Sequence, residues 1–270
     1  MKEGAVLLVR GIDDPILKMN LLREYIQAFT LRCFHESMAF QCLSFVGGTA
    51  LRFLYELPRF SEDLDFSLEN PEGYDPKAWL KKIKRDLTFA GFNATVIWND
   101  RKIVNIGWIR IAELMRDVGL AHLPEQKISI KLKIDTRPPA GAILENSVIN
   151  RHVIFALRHH NLPSLLAGKI HALCKRKYIK GRDWYDMIWY GARRPRVKPN
   201  KKLLENALAQ TGDEAEMKSK QWSNHLITRL NKIDQKKLVK DIVPFLEEPK
   251  EIQLLTIENI RKSIMQFHDG

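Results

Sequence analysis

The chain has 270 residues, 45% of them hydrophobic and 28% charged, and a formal net charge of +12 at pH 7. This composition is typical of an ordinary soluble globular protein with material for one large or two modest domains. No apolar run approaches membrane length, and the apolar stretch near Met1 is too short for a signal peptide, so we predict a cytoplasmic location. The three cysteines have neither metal-ligand spacing nor a favourable setting for disulfides, and we expect them to be reduced and buried.

The first element in chain order is predicted to be a helix that begins at Asp14-Pro15, a capping acid followed by proline. Next, the short apolar run 40–46 is typical of a buried strand, and it ends at Gly47. Gly47, Gly48 and Thr49 then precede a helical pattern. Glycines let a backbone approach a phosphate closely, and the start of a helix favours negative charge.

Residues 63–68 alternate polar and apolar side chains with a period of two. As a strand, this segment buries one face and presents Asp63 and Asp65 together on the other. Two carboxylates one pleat apart repel each other unless a cation lies between them, and Mg²⁺ suits such a pair. An isolated pair of this kind is more often a solvated strand edge, so the order and spacing of the glycines and acids decide between the two interpretations.

The following segments predict a helix over 77–90 that ends at Gly91, and strands over 94–98 and 103–111. Residues 128–135 alternate again and predict a half-exposed strand. Lys131, Lys133 and Asp135 share its polar face, where the lysines are placed to meet phosphates. The alternative role of Asp135 is that of an acid that caps the turn after the strand.

Beyond Asn161 the pattern changes to helices: Ser164 is predicted to cap the first, Gly181 interrupts it, and the segment 182–186 opens the next. We therefore predict an α/β domain over 1–155, with a small mixed sheet, followed by a helical domain over 156–270. Between Lys175 and Lys202 lie eleven Lys or Arg and only two acids. Such a basic stripe attracts phosphate backbones, although a solvated surface without a partner has the same composition.

Two segments, GGTALR at 47–52 and RFSEDLDF at 59–66, together resemble the AbiEii-like nucleotidyltransferase toxins, a branch of the DNA polymerase β-type superfamily. The later segment LLAGKIHALCKRKYIKGRDWYD resembles the second half of the same signature. The resemblance covers roughly residues 40–190. The superfamily more often opens with GS, whereas this chain has the GG form of the toxin branch.

The resemblance implies a magnesium site formed by Asp63 and Asp65, with Asp135 as a third ligand from a neighbouring strand. It implies that Lys169 meets the triphosphate and that Asp183 is an essential acid, with Asp186 as the fallback. The alternative for Asp183 is an ion pair with an arginine or a lysine that fixes the junction between two helices. Asp63 and Asp65 belong to the catalytic set as well. The residues expected to bind the nucleotide are Gly47, Gly48, Thr49, Arg52, Ser61, Lys131 and Lys133.

The resemblance also implies the toxin half of a toxin–antitoxin pair, with a cognate antitoxin. Such an enzyme transfers a nucleotide from a nucleoside triphosphate to an acceptor hydroxyl, and the family suggests RNA, with the 3′ end of tRNA as a candidate. Two alternatives stay open: nucleotidylation of a protein hydroxyl, and a nucleotide- or RNA-binding protein without turnover. The second alternative predicts a damaged acid set, whereas the acids of this chain are all present.

Overall fold

The computed structural model describes residues 1–123, 125–212 and 222–267, so positions 213–221 and 268–270 of the predicted helical domain lie outside the described residues. The chain divides into two compact units. The first comprises Met1–Glu56, Phe60–Pro138 and Leu144–His159, and the second comprises Leu57–Arg59, Pro139–Ile143 and His160–Gly270. The predicted division near residue 155 did not anticipate the two short segments that group with the second unit.

The first unit is built on a mixed sheet. Its strands are β1 (Leu43–Val46), β2 (Asp63–Leu68), β3 (Asn93–Asn99), β4 (Val104–Ala112), β5 (Ile128–Asp135), β6 (Leu144–Arg151) and β7 (Val153–His160). In the described residues they form one sheet in the order β3-β4-β5-β2-β1-β7-β6. Strand β2 is antiparallel to β1 and parallel to β5, which places it at the centre of the sheet.

Helices cover this sheet and bury its apolar side chains. They are α1 (Lys2–Leu8), α2 (Pro15–Glu36), α3 (Gly47–Tyr55), α4 (Pro76–Phe89) and α5 (Leu114–Asp117). Helix α2 begins as predicted, because the Asp14 side chain accepts hydrogen bonds from two backbone N–H groups of the first turn. It packs against β5 and α4. Strand β5 alternates buried and half-exposed residues along its whole length, as its sequence predicts.

The hairpin of β6 and β7 was not anticipated from the sequence. Strand β6 lies at the edge of the sheet, and most of its residues are exposed, including Val148 at 72%. An edge strand without a buried face lacks the alternation that reveals β2 and β5. The fold class, an α/β unit with a mixed sheet followed by helices, is confirmed.

The described part of the second unit is helical. Its helices are α6 (Leu162–Lys175), α7 (Gly181–Ala192), α8 (Lys201–Gln210), α9 (Trp222–Leu230), α10 (Gln235–Ile242) and α11 (Ile257–Met265). Asn161, not Ser164, caps α6, because its side chain accepts from the Ser164 N–H. Helix α7 approaches α11 closely at Gly191, where an added Cβ would lie 2.7 Å from the Cβ of Ser263.

The described helices, taken one by one, are all too short or too polar to cross a membrane. The three cysteines are buried and free, as the sequence predicts.

Candidate active site

Strands β1 and β2 set the positions of the two acidic side chains. Val46, the last residue of β1, lies opposite Asp65. On the other side of β2, Asp63 lies opposite Lys131 and Asp65 opposite Lys133. The two aspartates are partly exposed on one face, and the residue between them is buried. The predicted placement of both carboxylates on one face of a strand therefore matches the structure.

The ammonium group of Lys133 lies between the two carboxylates. It donates a hydrogen bond to Asp63 Oδ2 and lies 3.3 Å from Asp65 Oδ1. Burial lowers the pKa of Lys133, but the two neighbouring carboxylates outweigh burial, and the pKa is raised above its ordinary value. The repulsion between the carboxylates is thus relieved by a lysine of the chain itself.

The start of helix α3 lies directly beside Asp65. Gly47 has a φ of +83°, and a Cβ added there would lie 2.7 Å from Asp65 Oδ2. Among the described residues, no side chain caps the N-terminus of α3. Glycine is therefore required at this position both for its backbone conformation and for the close approach to the carboxylate. The partial positive charge of the helix start favours anions at the same place.

The carboxylate pair fits a divalent cation such as Mg²⁺, which binds to one or two protein carboxylates and keeps its other positions for water and phosphate oxygens. Asp135 does not join the pair to form a three-carboxylate group. It lies opposite Ser67 and accepts a hydrogen bond of 3.0 Å from the Arg137 N–H, which matches its alternative role at the turn. In the part of the chain that the structure describes, no group of three or more His, Cys, Asp or Glu is placed to hold a metal ion.

Two residues expected to bind the nucleotide instead hold the first unit together. Thr49 is buried, and its hydroxyl donates to the backbone carbonyl of Asp63, which fixes α3 to β2. Arg52 is 2% exposed, pairs with Glu24 of α2 and lies over the ring of Phe60. We therefore leave both side chains out of the proposed nucleotide site.

Ser61 and Lys131 lie at the border of the carboxylate pair. Gln27 of α2 donates hydrogen bonds of 3.0 Å to the backbone carbonyls of Ser61 and Glu62, which fixes the segment that leads into β2. Ser61 is half-buried. The Lys131 ammonium lies 5.1 Å from the ring centroid of Trp108 on β4, so it contacts an aromatic face as well as sharing the strand face of Lys133.

The second unit contains its own cluster of charges around Lys169 of α6. The Lys169 ammonium lies 3.0 Å from Asp183 Oδ1 and 2.6 Å from Asp186 Oδ2, both on α7. Burial, the largest influence, lowers the pKa of Lys169, and this direction prevails over the opposite effect of Asp186. The structure thus brings the predicted lysine and both candidate acids together.

The two acids of this cluster have different surroundings. Asp186 is fully buried and accepts two hydrogen bonds from Arg59, at 2.6 Å from Nε and 2.7 Å from Nη2. Burial raises the pKa of Asp186, but Arg59 and Lys169 outweigh it, so that the pKa is lowered. Asp183 instead pairs with Arg176 and Lys169 and lines a pocket. Asp183 therefore borders a pocket, whereas Asp186 is enclosed and held by Arg59 and Lys169.

Sequence reasoning missed Arg59 and Arg176, which complete the alternation of positive and negative charges in this cluster. Both lie in segments that carry the family resemblance, RFSEDLDF and KRKYIKGRD. A single sequence gives no reason to pair Arg59 with Asp186, which is 127 residues away.

The sequence and the fold of this chain are similar to those of known proteins. The family model described as "Nucleotidyl transferase AbiEii toxin, Type IV TA system" matches residues 30–264. The crystal structure of JHP933 from Helicobacter pylori aligns with a TM-score of 0.50 at 18% identity, over 92% of this chain and 91% of that chain. A second H. pylori structure aligns with a TM-score of 0.49 at 18% identity, over 88% of this chain and 92% of its own. No curated protein matches the chain.

Proposed function

Because the chain belongs to the AbiEii family of nucleotidyl transferase toxins, we propose that it transfers a nucleotide from a nucleoside triphosphate to a hydroxyl group on RNA. Family membership makes it a transferase and a component of a type IV toxin–antitoxin system, with a cognate antitoxin as partner. We further propose that the reaction requires Mg²⁺, uses a nucleoside triphosphate and has RNA as its acceptor. We also propose a cytoplasmic location, which the free, buried cysteines support.

The carboxylate pair at the start of α3 is the observation that carries this proposal. Asp63 and Asp65 share one face of β2, and Gly47 leaves no room for a side chain beside Asp65. Two carboxylates next to an open helix N-terminus suit a metal ion and a polyphosphate together. Bound there, Mg²⁺ would neutralise charge on the phosphate oxygens during transfer.

The chemistry is an in-line displacement at phosphorus. An acceptor hydroxyl oxygen forms a bond to the α-phosphorus, the bond from that phosphorus to the bridging oxygen breaks, and pyrophosphate leaves. The hydroxyl proton passes to water or to a nearby carboxylate. Catalysis of this kind depends on positioning and on electrostatic stabilisation rather than on covalent chemistry by the protein.

Lysine side chains supply the positive charge for the phosphates. Lys133 has a flexible stem, and it can turn from Asp63 and Asp65 to a substrate phosphate once a cation joins these carboxylates. Lys169 is held by two carboxylates, which uses two of its three N–H donors and leaves one for a phosphate oxygen. Asp183 is the acid that orients Lys169.

RNA is the favoured acceptor because of the basic stripe between Lys175 and Lys202, which contains eleven basic residues and only two acids. Both acids are already neutralised inside the Lys169 cluster. The stripe as a whole keeps a large excess of positive charge, which attracts a polyanion.

The test is incubation of the protein with each radiolabelled nucleoside triphosphate and Mg²⁺, in the presence of total RNA or total protein from the same cells. We expect label in the RNA fraction with at least one triphosphate. Label in the protein fraction alone would replace the RNA acceptor by a protein hydroxyl, and no transfer with any triphosphate would contradict the proposed activity.

A further inference from the structure

A pocket of about 210 Å³ lies in the second unit, between the end of α6, the start of α7 and the end of α9. Its lining includes four cationic side chains and one carboxylate, that of Asp183. The cations are Arg176, Lys180, Arg229 and Lys232. The lining therefore has an excess of three positive charges, which favours an anionic ligand.

Two of these cations form a fixed frame. The Arg229 guanidinium donates hydrogen bonds to the backbone carbonyls of Cys174 and Arg176, at the end of α6. Arg176 in turn pairs with Asp183. Because Arg176 is paired with Asp183, the excess positive charge of the lining is carried by Arg229, Lys180 and Lys232. Lys232 lies in an exposed position and Lys180 is half-buried.

The rest of the lining is largely apolar and aromatic. Leu173, Ile179 and Ile233 contribute aliphatic surface, and Trp184 is 2% exposed. Tyr178, in contrast, is 64% exposed, and the Arg176 guanidinium lies 5.4 Å from its ring centroid. An exposed aromatic ring beside lysines suits a flat base joined to a phosphate, which is the repeating unit of a single-stranded nucleic acid.

We propose that this pocket binds one unpaired nucleotide of a single-stranded RNA, with its base against Tyr178 and the apolar lining and its phosphates near Lys180 and Lys232. This inference rests on the proposed RNA acceptor and adds the place where the strand is held. An unpaired base can leave the strand and enter a pocket, whereas a base in a duplex is stacked and paired.

The test measures fluorescence anisotropy of a labelled 12-nucleotide single-stranded RNA, without triphosphate, over a range of salt concentrations. For the Lys180→Ala/Lys232→Ala double variant we expect affinity to fall about tenfold at 0.1 M salt. The slope of log affinity against log salt should become shallower by about 1.4, because each lost phosphate contact removes about 0.7 for a single strand. Tyr178→Ala should weaken binding about tenfold and leave that slope unchanged.

The matched control is Lys201→Ala/Lys202→Ala on α8, which removes the same charge from the same basic stripe but not from the pocket. We expect less than a twofold change in its affinity. If the two double variants lost equal affinity for RNA, binding would depend on the overall positive charge of the surface and not on the pocket. Wild-type affinity in the pocket variants would also contradict the proposed pocket. A duplex of the same sequence that binds as tightly as the single strand would also overturn the inference.

RNA binding and label transfer are measured in separate experiments, so the pocket and the proposed activity can be contradicted independently. If RNA is bound through the pocket but no label is transferred, the pocket stands and the proposed activity falls. If label is transferred to RNA while the pocket variants bind it normally, the activity stands and the pocket inference falls. Thermal melting of each variant, followed by circular dichroism, confirms that the altered proteins are folded.

Discussion

Lys133 competes with any cation for the same two carboxylates, because its ammonium contacts both Asp63 and Asp65. We predict that Lys133→Met lowers the melting temperature of the metal-free protein, since the carboxylates then repel each other without a partner. Addition of Mg²⁺ should raise the melting temperature of this variant by more than it raises that of the wild type, because no lysine has to be displaced. Thermal denaturation with and without Mg²⁺ measures both effects.

Lys131→Met is the control for this experiment. Lys131 lies on the same strand face, but its ammonium is placed over Trp108 rather than between the carboxylates. We expect its response to Mg²⁺ to resemble that of the wild type. An identical Mg²⁺ response in Lys133→Met and the wild type would mean that the cation does not bind to this pair.

Asp183 and Asp186 are three residues apart on α7, yet we expect their replacement to have different effects on stability and on transfer activity. Asp186→Asn leaves the buried guanidinium of Arg59 without its charged partner, and we expect a loss of about 3 kcal/mol or more in the free energy of unfolding. Asp183→Asn keeps the Asp186–Arg59 pair, so we expect a loss of about 1–2 kcal/mol together with a large loss of transfer.

Urea unfolding and label transfer, measured on both variants, distinguish these roles. If Asp186→Asn had wild-type stability, the anchoring role would be wrong. If Asp183→Asn retained most of its transfer activity, Asp183 would be a structural partner of Arg176 and Lys169 rather than an acid that orients the lysine towards a substrate.

At the scale of elements, the junction between β1 and α3 depends on a single glycine. Gly47→Ala would place a Cβ 2.7 Å from Asp65 Oδ2 at a φ of +83°, so Asp65 must move. We predict loss of transfer and of the Mg²⁺ effect on melting, with a cost of about 1–2 kcal/mol in stability from the left-handed backbone.

Gly11→Ala is a matched control for Gly47→Ala. Gly11 has a similar φ of +78°, but an added Cβ would have no atom within 4 Å. This variant should carry the backbone cost and keep full transfer. If both variants lost transfer equally, the effect would come from stability alone and not from the close approach of α3 to Asp65.

The sequence predicted those elements whose pattern is local. The acid and proline at 14–15 marked the start of α2, and strict alternation revealed β2 and β5 with their acids and lysines on the correct face. Strand β6 escaped prediction because it lies at the sheet edge and buries few side chains. Strand β7 alternates in burial, but its sequence does not reveal this because Ile154 and Ala156, on the less buried face, are apolar too. Partners that are distant in the chain, such as Lys133 for the aspartates and Glu24 for Arg52, leave no local pattern.

At the scale of the molecule, acid should destabilise the first unit through Glu24. This carboxylate of α2 is buried, which raises its pKa, but His152, Arg52 and Arg151 favour the charged form and lower the pKa from 4.5 to about 2. A pKa lowered by folding contributes stability above the unfolded value of 4.5, and this contribution is lost as the pH falls towards about 2. We expect Glu24 to account for about 3 kcal/mol of that loss.

Urea unfolding of the wild type and of Glu24→Gln between pH 6 and about 2.5 measures this contribution. The wild type should lose its advantage over the variant progressively as the pH falls below 4.5. A constant difference in stability over the whole pH range would show that the Glu24 carboxylate does not titrate with folding.

We propose that Asp63 and Asp65 form the metal-binding centre of a nucleotidyltransferase, and this assignment can be tested. Its most direct test is the initial rate of label transfer from a nucleoside triphosphate to RNA, measured against Mg²⁺ concentration for the wild type and Asp65→Asn. We predict that the wild-type rate rises to saturation with Mg²⁺ and that Asp65→Asn is slower by about a hundredfold to a thousandfold at every concentration while its melting temperature is maintained. A folded Asp65→Asn protein that transfers label at the wild-type rate would contradict the account.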